Sequence, residues 1–139
     1  MINYITTASE HFFQHQIGTT CALSDLSTQE KTHIAYIDIT SMAHTVYRVY
    51  IAMDEPLLAH ITELFLGEET PNEQTLQEML LETTNMVVGS AKVLAENSGS
   101  AFSIATPFLE KTSLASVAYD DKRTLNIKES VMTIALKEL

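Results

Sequence analysis

Residues Thr70–Gly99 read TPNEQTLQEMLLETTNMVVGSAKVLAENSG, and what this stretch becomes decides how the rest of the chain must be arranged. Its start carries helix-entry chemistry. Thr70 suits a cap, Pro71 suits the first helical position, and Glu73 stands three residues after the threonine as in a capping box. Its end, Asn97-Ser98-Gly99, tolerates the left-handed conformation that terminates helices. The expected helix runs from Pro71 to Asn97, about 26 residues and roughly 40 Å at the standard rise. That is long for a chain of 139 residues.

At 100° per residue the stretch separates into two faces. Leu76, Met79, Leu80, Met86, Val87, Val88, Ala91, Leu94 and Ala95 fall on a broad apolar side. Glu78, Glu82, Asn85 and Gly89 fall together on the other, within an arc of roughly 60°. A glycine inside a helix costs about 1 kcal/mol against alanine, but on an exposed face it lets another surface approach closely. The stripe reads as a docking face with a carboxylate and an amide at its centre, and Glu78 and Gly89 as partner-docking positions on it.

Composition narrows the function. Apolar residues at 45% and charged residues at 19% describe one globular domain spanning residues 1–139. The net charge of −10, with only eight scattered Lys and Arg, argues against nucleic acid as a partner. A single cysteine, Cys21, excludes an internal disulfide framework and fits a reducing cytoplasm. No apolar run approaches 18 residues, so no membrane span is expected, and the first residues lack the basic and apolar regions of a secretory signal.

Outward from the long helix, the chain reads as α+β. Residues 1 to about 18 suit a helix closed by Gly18, and Thr19 to Lys31 read as loop. The runs His33–Thr40 and His44–Met53 are β-rich and suit an antiparallel hairpin. Asp54-Glu55-Pro56 opens a second helix, with Leu57, Leu58, Ile61, Leu64 and Phe65 on its apolar face and Gly67 as its stop. Beyond the long helix, Ser100–Leu109 reads as a strand with Pro107 marking an edge or an end. Thr112–Tyr119 reads as another strand, Asp120–Arg123 as a turn, and Thr124–Leu136 as one last strand or two short ones. The expected architecture is a mainly antiparallel sheet packed against helices.

The run Glu82-Thr83-Thr84-Asn85-Met86-Val87-Val88-Gly89 resembles the E-x-x-N-(M)-x-x-G signature of the CheC, CheX and FliY chemotaxis phosphatases. Ile104-Ala105-Thr106-Pro107-Phe108 is similar to the hydrophobic-x-x-P-hydrophobic strand of that family. The resemblance covers roughly Thr45 to Leu109, and one signature helix resembles CheX more than CheC. It implies a protein of two-component signalling, a hydrolase whose substrate is the aspartyl phosphate of a CheY-type response regulator. It implies that Asn85 orients the attacking water and that Glu82 pairs with a lysine of the regulator. It also implies that this chain binds no cofactor, the Mg²⁺ being supplied in the partner's site.

The chemistry is coherent apart from the family. An acyl phosphate is already reactive, and its transfer asks for positioning and charge neutralisation. A carboxamide offers a donor and an acceptor with which to hold a water in line. A carboxylate repels a phosphoryl group, so Glu82 is better placed gripping a cation. The competing class is a binding module that docks a regulator or flagellar protein without hydrolysis. A third reading is a homodimer pairing strands near the Pro107 edge.

Other residue groups carry less. His11 and His15 lie one turn apart on the first helix, but no acidic or cysteine partner stands at matching spacing, so no metal site is assigned. Cys21 has no neighbouring base, and Met79 and Met86 read as core filling. No G-x-S-x-G elbow or phosphate-cradling glycine loop occurs.

Overall fold

The β2–β3 hairpin forms the centre of the sheet because its alternation sorts side chains onto two faces. In the computed structural model, which describes residues 1–24 and 32–139, β2 (Thr32–Ser41) pairs antiparallel with β3 (Val46–Asp54). Ala35, Ile37 and Ile39 on β2, with Val49, Ile51 and Met53 on β3, enter the main core. Their neighbours Ile34, Tyr36, Tyr50 and Ala52 point to the opposite face. The period of two along each strand makes this partition.

Three helices cover the core face: α1 (Ile2–His11), α2 (Glu55–Leu66) and α3 (Glu73–Asn97). The first continues through a wider π-helical turn, Phe12–Ile17, and stops at Gly18, where φ is 77°. The helix α3 lies over β2 and packs against both other helices. Its start differs from the sequence expectation. Asn72, not Thr70, is the cap, its side chain accepting from the Thr75 N–H at 2.8 Å, and Pro71 lies outside the helix. Asparagine is the better cap of the two and stands nearer the apolar periodicity, so it outcompetes the threonine. For α2 the expectation holds: Asp54 caps it, Pro56 sits in the first turn and Gly67 ends it at φ 72°.

The remaining strands are β1 (Ala22–Ser24), β4 (Phe102–Ile104), β5 (Phe108–Glu110), β6 (Asp121–Ile127) and β7 (Ser130–Glu138). The sheet order is β1-β6-β7-β3-β2-β4, with β5 also on the outer side of β2. Every pairing is antiparallel. The α+β class and single sheet with helices on a face are therefore as the sequence indicated.

Several local expectations are corrected. Part of the expected loop after Gly18 is β1, recruited by the edge of β6, and residues 25–31 lie outside the described residues. The stretch Ser100–Leu109 is two strands. Between the pairs Ile39–Ile104 and Tyr36–Phe108, residues 105–107 face residues 37 and 38, so Pro107 falls at a bulge where its missing N–H costs no ladder bond. Thr112–Tyr119 is not a strand. It carries one 3₁₀ turn, Leu114–Ser116, whose Leu114 and neighbouring Val117 cover the back-face cluster around Tyr50. The expected turn at Asp120–Arg123 instead starts β6, because Lys122 and Arg123 pair with Ala135 and Ile134 of β7. The final stretch is two strands joined by Lys128-Glu129, with Lys128 at φ 56°. Among the described residues no helix is long and apolar enough to cross a membrane.

Candidate functional site on the long helix

The central turns of α3 alternate between committed and free side chains. Thr83 and Thr84 are fully buried, while Glu82 and Asn85 on either side of them are exposed. The buried pair fixes the roll of the helix, and at this spacing the carboxylate and carboxamide emerge on the same side. Glu78 is exposed one turn before Glu82, and its carboxylate accepts from the Gln74 amide at 3.2 Å. Gly89 is half-buried one turn after Asn85, and a Cβ added there would meet no atom within 4 Å. The stripe then continues to Val93, 54% exposed, an apolar residue that the sequence reading did not place on it.

Among the described residues, neither the Glu82 carboxylate nor the Asn85 carboxamide makes a hydrogen bond or ion pair. Both are thus available to a partner, although their separation alone provides no nucleophile. Lys92, beside the stripe, is drawn toward Glu96, with Nζ 3.9 Å from Oε1, and so offsets the surrounding negative charge only in part. The face remains acidic.

Two shallow cavities flank Met86. One, of about 350 Å³, is lined by Phe65 and Leu66 of α2 with Glu78, Met79, Glu82 and Met86 of α3. The other, of about 330 Å³, includes His11 and His15 with Met86 and Ser90. Met86 is half-buried between the two cavities, whereas Met79 is buried and lines only the first of them. Leu64 and Phe65 were expected on the apolar face of α2, yet they are 52% and 39% exposed, and Leu66, which that face did not include, is 54% exposed. The signal was present in the sequence: three consecutive apolar residues, Leu64-Phe65-Leu66, span some 200° of a helix and cannot all face one core. The imidazoles of His11 and His15 stand edge to face with centroids 5.8 Å apart. No group of three or more His, Cys, Asp or Glu capable of holding a metal ion occurs among the described residues.

The fold is an antiparallel sheet with three helices on one face, and the longest of them exposes an acid and an amide near its middle. The family model described as "Chemotaxis phosphatase CheX" matches residues 34–128, more than half of the chain, and the chain belongs to that family. Solved structures agree on the fold. CheX from Vibrio vulnificus superimposes with a TM-score of 0.80 at 21% identity, covering 99% of this chain and 98% of that one. CheX from Desulfovibrio desulfuricans gives a TM-score of 0.77 at 15% identity, covering 99% and 97%. The CheX–CheY–BeF3–Mg²⁺ complex from Borrelia burgdorferi gives 0.69 at 14% identity, covering 99% and 97%. A comparison with curated proteins yields no match.

Proposed function

We propose that this chain hydrolyses the aspartyl phosphate of a CheY-type response regulator, using Asn85 and Glu82 on the exposed face of α3. The observation that carries the reading is the pairing of two exposed, uncommitted polar groups across two buried threonines. Family membership and the existence of a CheX–CheY complex in a structural relative support the choice of partner.

In this mechanism α3 lies across the regulator's acidic pocket. The Asn85 carboxamide accepts a hydrogen bond from a water and directs its oxygen at phosphorus, opposite the aspartyl oxygen. The water oxygen bonds to phosphorus as the bond to the aspartyl carboxylate breaks, releasing inorganic phosphate and the free carboxylate. Holding the water in line removes an orientational entropy cost that a regulator alone must meet. The Glu82 carboxylate takes a lysine of the regulator, which fixes the register of the two proteins. The divalent cation that neutralises the phosphoryl oxygens belongs to the regulator in this scheme.

The test follows the lifetime of the aspartyl phosphate in a regulator charged with a small phosphodonor and Mg²⁺. Wild type is expected to shorten it, and Asn85→Ala to lose on the order of a hundredfold in turnover. Glu82→Gln is expected to weaken association more than turnover. A wild-type chain that binds the regulator but leaves the lifetime unchanged would make it an adaptor of the same fold.

A further inference from the structure

The groove between the end of α2 and the middle of α3 has an apolar floor and one acidic wall. Met79 and Met86 form the floor, Phe65 and Leu66 one wall, and Glu78 and Glu82 the other. Phe65 is held in place from behind. Its ring stacks on that of Phe12, with centroids 6.1 Å apart and planes 12° apart, and Phe12 is itself buried at the start of the π-helical turn of the first helix. Leu66 is the last residue of α2, kept there by Gly67, whose N–H bonds the Glu63 carbonyl at 2.8 Å. An exposed aromatic fixed by stacking loses little freedom when a partner covers it.

We infer that this groove seats an apolar side chain of the partner regulator that stands next to the cation taken by Glu82. The inference rests on the phosphatase reading for the identity of the partner, and it adds the surface that supplies affinity. Two features of the groove select the occupant. The exposed apolar area of Phe65 and Leu66 is continuous with Glu82, so the same partner segment that reaches the carboxylate passes over both. The acidic wall excludes an acidic segment and favours one in which a lysine or arginine lies within a turn of an aliphatic or aromatic residue. A thioether floor packs adaptably against side chains of differing shape, which suits more than one regulator of the same chemistry. Glu82 and Asn85 then handle register and water, while Phe65 and Leu66 determine how tightly and which partner binds. Aromatic anchors beside charged contacts are where interface affinity concentrates.

The experiment measures affinity and turnover separately, with CheY-type regulators held in the phosphorylated form by beryllofluoride for binding and charged with phosphodonor for turnover. Leu66→Ser and Phe65→Ser are expected to weaken binding about tenfold or more while leaving turnover at saturation near wild type. Phe65→Leu is expected to restore most of the affinity. Thermal midpoints are recorded alongside, and Leu66→Ser, which removes no stacking partner of Phe12, reads the groove independently of any loss of fold in Phe65→Ser. Unchanged affinity in Leu66→Ser and in a folded Phe65→Ser overturns the groove and leaves the role of Asn85 standing. Binding that is lost in these variants, with no hydrolysis by wild type, sustains the groove and removes the phosphatase reading. Failure of wild type to bind any regulator in a panel overturns both.

Discussion

Asp54 joins two parts of the molecule that lie 77 residues apart in sequence: its Oδ2 accepts the Val131 N–H at 3.0 Å, while its Oδ1 accepts the Leu57 N–H, also at 3.0 Å. One buried carboxylate therefore caps α2 and ties that helix's entry to the start of β7. The position of α2, and with it the Phe65 wall beside Glu82, depends on this double contact.

Replacing Asp54 with alanine leaves two amides without their acceptor and is expected to cost about 3 kcal/mol. Asn at the same position keeps one acceptor for the cap but turns a donor toward Val131, so it should fall roughly midway. Urea denaturation of the two variants checks the order. Equal, negligible losses would mean the bridge carries no net stability.

Thr83 and Thr84 give the opposite expectation. Among the described residues their hydroxyls are buried without a hydrogen-bond partner, whereas the hydroxyls of Thr6, Ser9 and Thr62 each donate to the carbonyl four residues earlier. Valine has nearly the same shape and helix propensity as threonine. Each Thr→Val change is therefore expected to stabilise the fold by roughly 1 kcal/mol, visible as a rise of a few degrees in Tm. A fall in Tm for both would show that the hydroxyls are satisfied in solution.

Gly89 separates stability from docking. Open space around its absent Cβ means that Gly89→Ala costs nothing in packing and should gain up to about 1 kcal/mol of helix stability. On the proposed docking face the added methyl stands where a partner approaches. The variant is expected to melt higher and bind a CheY-type regulator more weakly. Undiminished binding would remove Gly89 from the contact surface.

Cys21 carries the one pH-dependent expectation. Burial pushes its thiol above the ordinary cysteine value, and the nearby Glu10 carboxylate adds to that shift. Because only the thiolate attacks, the raised value lowers the reactive fraction at neutral pH. Alkylation by iodoacetamide at pH 8 should run slower than in a free cysteine peptide and continue to accelerate above pH 9. A rate equal to the peptide's at pH 8 contradicts this environment.

Much of this was legible in the residues because the signals are local. The α2 boundaries follow from Asp54, Pro56 and Gly67, each acting within one turn of itself. The exposure of Glu82 and Asn85 follows from the 100° period and the apolar residues around them. The hairpin of β2 and β3 follows from a β-rich run at His33–Thr40 and an alternating one at His44–Met53 with a short polar connection between them. Apart from the cap of α3, where Asn72 acts locally in place of Thr70, the errors fall where the deciding partner is distant. Asp121-Lys122-Arg123 has turn composition, yet β7 supplies a ladder that holds it extended. The turn at Lys128-Glu129 contains neither glycine nor asparagine to announce a left-handed residue, and only cross-strand pairing requires one.

By itself the sequence determined an α+β chain with one long helix, and which side chains that helix presents outward, because caps, periodicity and charge act over a few residues. Only the tertiary structure decided that the end of α2 lies against the middle of α3. Stacking of Phe65 on Phe12 and the bridge from Asp54 to Val131 are contacts between distant segments, and no local rule predicts them. Those contacts turn an exposed acid–amide stripe into a stripe with an apolar groove beside it.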